Sequence, residues 1–283
     1  MWFKTNHYPP WICRPFFFHR EVPPIRLERA FDMHSLGSEV LMKLYHEVTS
    51  LTSGIRIEVV PSRRTNKMEE THPAATVGLP LGTPTIQFTG SLNRINRIEA
   101  IAHELAHLLL VYRYGLGVIG RKIPRPGDGY GVFDYYMSMR GDWFFLLGQI
   151  GNTVHHLLLV GYLKEEYGIE SHFHRRLLQH NLRSIANHNE RDKESLYAKG
   201  LIAFEYERLI GQFDRIIRPS SQTEPFWTAY HAAQECFGRY SFQSIPTSSA
   251  YEANILSFLE NLGYAREDFV FYPEKACDLR DRE

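Results

Sequence analysis

Apolar side chains in residues 38–49 (SEVLMKLYHEVT) recur at helical spacing, and the Ser-Gly pair at 53–54 ends the run. Ile55, Ile57 and Val59 then alternate with Arg56 and Glu58, the period-two pattern of a half-buried strand. Residues 61–84 are rich in Pro, Gly and Thr and predict a loop. That loop leads into a short strand at 84–89, with Ile86 and Phe88 on one face. A strong helix is predicted from about Leu92 to Tyr114, where Ile95, Ile98, Ala102, Leu105 and Leu109 form one apolar stripe. Gly115, Gly117 and Gly120 end it, and residues 115–131 predict a long Gly/Pro-rich loop.

Residues 143–163 contain no Lys, Arg, Asp or Glu and are long enough to cross a bilayer. They also carry Gln149, Asn152, Thr153, His155 and His156, a heavy polar load for lipid. A buried helix whose polar groups find partners is the expected reading, with a membrane span as the alternative. Asp142 is a candidate N-cap for this helix and Ser171 for the next. Ser249 and Glu252 form a capping box for a C-terminal helix that stops at Gly263. Residues 269–272 suggest a last short strand. Residues 1–30, rich in Pro and aromatics, read as an extended arm. With no repeat and no linker, residues 1–283 are expected to form one α+β domain, mostly helical with a small N-terminal sheet.

Composition narrows the function classes. In 283 residues, 32 Lys+Arg balance 32 Asp+Glu, which argues against nucleic acid or an anionic membrane as the main partner. Cys13, Cys236 and Cys277 are widely separated and show no C-x-x-C, so neither a disulfide framework nor a Cys-based zinc site is expected. The first twenty residues lack the apolar core of a secretory signal, and a cytoplasmic protein is expected. The 14 histidines are the unusual feature.

Two of those histidines stand in Ile101-Ala102-His103-Glu104-Leu105-Ala106-His107-Leu108-Leu109-Leu110, an H-E-x-x-H pattern. Residues four apart share a helix face, so the two imidazoles can grip one ion, for which zinc is the natural choice. The carboxylate between them lies beside that ion, where it can take a proton from attacking water. The segment resembles the active-site helix of the zincin metallopeptidases, with motif identity over residues 100–110. The resemblance implies a zincin-like fold, His103 and His107 as zinc ligands, Glu104 as general base and a peptide or protein substrate. It also makes residues 84–89 the candidate edge strand that would bind a peptide by strand addition.

The subfamily stays open. In the metzincin pattern a Gly and a third His would follow, but Leu110 and Arg113 stand in their places. Nothing around Cys13 resembles the glycine-rich ligand motif of peptide deformylase. A third ligand is therefore expected downstream, from His155 or His156, from Glu165 or Glu166, or from Asp134. An imidazole inside an apolar helix is costly unless paired, which favours the His pair, whereas Glu165 and Glu166 belong to a charged terminus that faces water. His156 is preferred to His155, because Gln149, Asn152 and His156 fall along one face. Asn152 then becomes a candidate for supporting the site or touching substrate. Tyr130, in the Gly-rich loop, is a candidate oxyanion donor, ahead of Tyr112, Tyr114, Tyr135 and Tyr136. His172, His174, His180 and His188 do not share a face at ligand spacing and are expected on a solvated surface, as is the Lys/Glu-rich stretch 189–199.

Overall fold

A computed structural model describes residues 31–52, 54–60, 74–77, 84–121, 142–187, 192–218 and 222–272. The N-terminal arm, Tyr130, Asp134, Tyr135, Tyr136 and His188 lie outside the described residues.

The first helix, α1 (Glu39–Leu51), starts at Ser38, whose hydroxyl accepts the Leu41 N–H. It buries Leu41, Leu44 and Val48, the expected apolar spacing. Strands β1 (Arg56–Val60), β2 (Ala74–Val77) and β3 (Thr85–Thr89) form a sheet in the order β1-β3-β2. Strand β1 runs parallel to β3, and β2 runs antiparallel to it. Two expectations change here. Residues 74–77 are a strand within the stretch read as a loop. The strand at 84–89 is central rather than an edge: both sides of its backbone are paired, so it has no free ladder to offer a peptide. Ile86 and Phe88 do face the core.

Helix α2 (Arg94–Tyr114) is capped by Asn93, whose side chain accepts the Asn96 N–H. Its first turn is solvated, and Ile95, expected in the apolar stripe, is 71% exposed. From Glu99 to Val111 the helix is enclosed on nearly all sides, against β2, β3, α1 and the helices that follow. Gly115 ends it with φ 67°, and the Leu116 N–H returns to the Leu110 carbonyl. The chain then forms β4 (Val118–Arg121), a strand inside the expected loop, which pairs antiparallel with β5 (Phe269–Tyr272).

The remaining helices are α3 (Asp142–Tyr167), α4 (His172–Asn187), α5 (Lys193–Leu209), α6 (Glu224–Phe237) and α7 (Ser248–Asn261). Helix α3 is the buried helix expected from the uncharged segment, and none of the described helices is long and apolar enough to cross a membrane. Helix α5 packs against α3, α4 and α6 and buries most residues from Ser195 to Tyr206. Lys199 is 2% exposed, so the solvated surface expected over 189–199 does not extend to it. The α5–α6 crossing is close enough that a Cβ at Gly200 would meet the Phe226 carbonyl oxygen at 2.3 Å. Helix α7 is capped by Thr247, whose hydroxyl accepts the Ala250 N–H, two residues before the cap expected at Ser249. The α+β class and the small N-terminal sheet are as expected.

Candidate metal centre

Four helices bring their polar side chains to one junction. Helix α2 supplies His103 and His107, α3 supplies His155 and His156 with Gln149 and Thr153, α4 supplies His174 and α5 supplies Glu205. All lie below 9% exposure except His103, which is half-buried.

One ligating atom each from His103, His107 and His156 lies within 4.8 Å of the other two. The Nε2 atoms of His103 and His107 are 3.1 Å apart. Two nitrogens bound to a tetrahedral zinc at about 2.05 Å stand about 3.3 Å from each other, so this pair has close to ligand spacing. The donor set also fits. Burial first, and then the neighbouring imidazoles, push His103 and His107 well below their ordinary pKa. His156 is lowered by burial and by His174 despite Glu205. Neutral imidazole is the form that binds a cation.

The expected third ligand, His156, thus joins the H-E-x-x-H pair. His155 does not share that point: its Nδ1 lies 3.1 Å from the Nδ1 of His107, and its Nε2 lies 3.2 Å from the Leu116 carbonyl oxygen. Burial lowers its pKa to about 3. Glu165 and Glu166 are exposed, as the charged terminus implied. Glu104 is 8% exposed, one residue on from His103.

A second group lies beside the first. Oε1 of Glu205 is 2.7 Å from Nδ1 of His156 and 3.1 Å from Nε2 of His174. Its Oε2 accepts from the Thr153 hydroxyl at 2.9 Å and from the Gln149 amide at 3.2 Å. Burial alone would raise the Glu205 carboxyl, but the facing His156 and His174, with their hydrogen bonds to it, outweigh burial and hold the group below the carboxylate range. The His156–Glu205 separation suits a hydrogen bond better than two ligands on one tetrahedral ion.

His174 and Glu205 were missed in the sequence. His174 is 6% exposed, stacks on His103 with ring centroids 5.1 Å apart and meets His156 edge-on at 4.1 Å, so the expected solvated position is corrected. Its signal was helical spacing, since His174, Leu178 and Leu182 share one buried stripe, while His172 and His180 are exposed. For Glu205 the signal was a carboxylate inside the apolar run Leu201–Tyr206. Asn152 is buried, but no hydrogen bond joins it to the junction among the described residues; Thr153, one residue on, fills that role.

The start of α4 explains how His174 reaches this place. Ser171 precedes the helix, yet its buried hydroxyl finds no partner among the described residues. The Glu99 carboxylate, from α2, accepts the N–H groups of Phe173 and His174 instead. A carboxylate at a helix N-terminus satisfies orphan donors and complements the helix dipole. It ties His174 to the same helix that carries His103. Compared with family models, curated proteins and solved structures, the chain matches none.

Proposed function

We propose that this chain is a zinc-dependent metallopeptidase in which His103, His107 and His156 hold the ion and Glu104 is the general base. The convergence of those three imidazoles on one point, with Glu104 between two of them in sequence, carries the reading. Zinc bound there would supply Lewis-acid polarisation of a peptide carbonyl. Glu104 takes the proton from the attacking water and returns it to the leaving amine. Neutral imidazoles bring no negative charge to offset the ion's own, so zinc held by them would keep its full Lewis acidity.

A zincin-like fold and a cytoplasmic setting belong to the same proposal. The thiol of Cys236, pushed up to about 11 by burial and by Glu235, suits a structural, unreactive cysteine. One observation favours a second reading, a metal-binding module without turnover: His107 is 1% and His156 5% exposed, and enclosed sites are typical of structural ions.

Metal analysis and turnover separate the two. Purified protein should carry one zinc per chain, and His103→Ala should lose it. Glu104→Gln should keep the zinc while chelator-sensitive cleavage of a broad peptide library falls by about 10²- to 10⁴-fold. Zinc without any cleavage would leave the silent module standing, and no zinc at all would end both readings.

A further inference from the structure

We infer that His155 and Glu205 are positioning residues for the metal centre: through hydrogen bonds they dictate which ring nitrogen of His107 and of His156 carries the proton. The inference rests on the metal reading above and deepens it.

The Leu116 oxygen can only accept, so Nε2 of His155, 3.2 Å away, must carry the hydrogen between them. A neutral imidazole has one N–H, which leaves Nδ1 of His155 as a bare acceptor. The Nδ1 of His107, 3.1 Å from it, must then be the donor. His107 is left with its lone pair on Nε2, the atom 3.1 Å from Nε2 of His103. The order runs Leu116 to His155 to His107, and each step follows from donor and acceptor counting.

The second arm is independent. An ionised carboxylate only accepts, so Nδ1 of His156, 2.7 Å from Glu205, carries the hydrogen and its Nε2 is bare. Nε2 of His174 likewise carries the hydrogen toward the same Oε1. Two of the three ligands therefore present a lone pair on Nε2 before any ion arrives. Partners of this kind orient a ligating imidazole and raise its basicity.

The placement of each anchor is part of the fold. Gly115, at φ 67°, turns the chain so that Leu116 folds back on the end of α2, and the Tyr251 hydroxyl holds the adjacent Gly117 carbonyl at 2.8 Å. Leu116 itself is fully buried. Glu205 is held in turn by Thr153 and Gln149 on its other oxygen. Neither anchor can swing without breaking a buried hydrogen bond.

The test reads the tautomers directly. Long-range proton–nitrogen correlation spectra of the full, metal-free chain labelled in histidine should show His107 and His156 with Nδ1–H, and His155 and His174 with Nε2–H. Nε2–H on His107 or His156 overturns the inference, whether or not the protein binds zinc. Chelator competition then measures zinc affinity. His155→Phe, which keeps a ring but removes both nitrogens, should weaken zinc binding about 10- to 100-fold. His155→Gln, which can still donate to Leu116 and accept from His107, should recover part of that loss. Equal affinity in wild type, Phe and Gln variants overturns the positioning role while the metal reading survives. Two zinc ions per chain, falling to one in His174→Ala, would make Glu205 a ligand and also overturn it. Absence of zinc from wild type ends the metal reading and the positioning role with it, whereas the wrong tautomers in a zinc-binding protein end the positioning role alone.

Discussion

Glu205 is a charged side chain with 1% exposure, and what makes this tolerable is the complete use of its lone pairs by His156, His174, Thr153 and Gln149. Removing one donor should expose the cost. Thr153→Val keeps the shape of a fully buried residue and deletes the hydroxyl, and it should destabilise the protein by about 1.5–3 kcal/mol in urea unfolding. A change within a few tenths of a kcal/mol would mean that water or Gln149 replaces the donor. That His103 and His107 meet was legible because their relation is confined to one helical turn, and that His156 finds partners because an imidazole in an uncharged helix needs one. The polar load noted in residues 143–163 finds its partners here. His174 and Glu205 were hidden because each gains meaning only from the other and from α3, across sequence separations that periodicity does not read. The choice between His155 and His156 turned on whether the ring faces His107 and Leu116 or the junction of α2, α4 and α5, which is a packing outcome.

At the level of elements, local rules worked where the chain itself supplies both partners. Ser38 and Asn93 cap α1 and α2, and Gly115 ends α2 at a positive φ. They failed at α4, where Ser171 occupies the capping position but Glu99 of α2 does the capping. Burial raises the Glu99 carboxyl, while the Phe173 and His174 N–H groups work against that rise, so the group is held by its place in the packing. The two substitutions should therefore behave oppositely to expectation from sequence. Ser171→Ala removes a hydroxyl without a partner and should be neutral or slightly stabilising, whereas Glu99→Ala should cost about 1–2 kcal/mol. Denaturant midpoints decide it, and a larger loss in the Ser171 variant would restore the local cap. The sheet gives the same lesson. The alternation at 55–59 and 85–89 identified strands, but strand order depends on where β2 docks, and that short segment lay in a Pro/Gly-rich stretch with little period of its own.

For the molecule as a whole, the junction of four helices makes stability depend on acid. His103, His107, His155 and His156 all have pKa values lowered from 6.5 by burial, so near neutrality they are uncharged in the folded chain. The unfolded chain takes up protons at these groups as pH falls through 6.5, and the folded chain does not. Their contribution is therefore complete above about pH 6.5 and is lost on acidification, with the unfolded state binding the extra protons. For His155, lowered to about 3, the loss between pH 6.5 and 5 is about 1.6 kcal/mol. Glu205 adds to the same slope only as pH falls below its ordinary value of 4.5. An ion held only by the folded state opposes this loss, adding about 2.7 kcal/mol at a hundredfold excess over its dissociation constant. Metal-stripped protein should thus unfold at a higher pH than zinc-loaded protein, and His155→Phe should flatten the stripped protein's pH slope. Urea titrations across pH 7.5 to 5, with and without zinc, measure both effects. Coincident acid midpoints for loaded and stripped protein would mean that these imidazoles do not hold the ion. An unchanged slope in His155→Phe would mean that His155 protonates in the folded chain as readily as in the unfolded one.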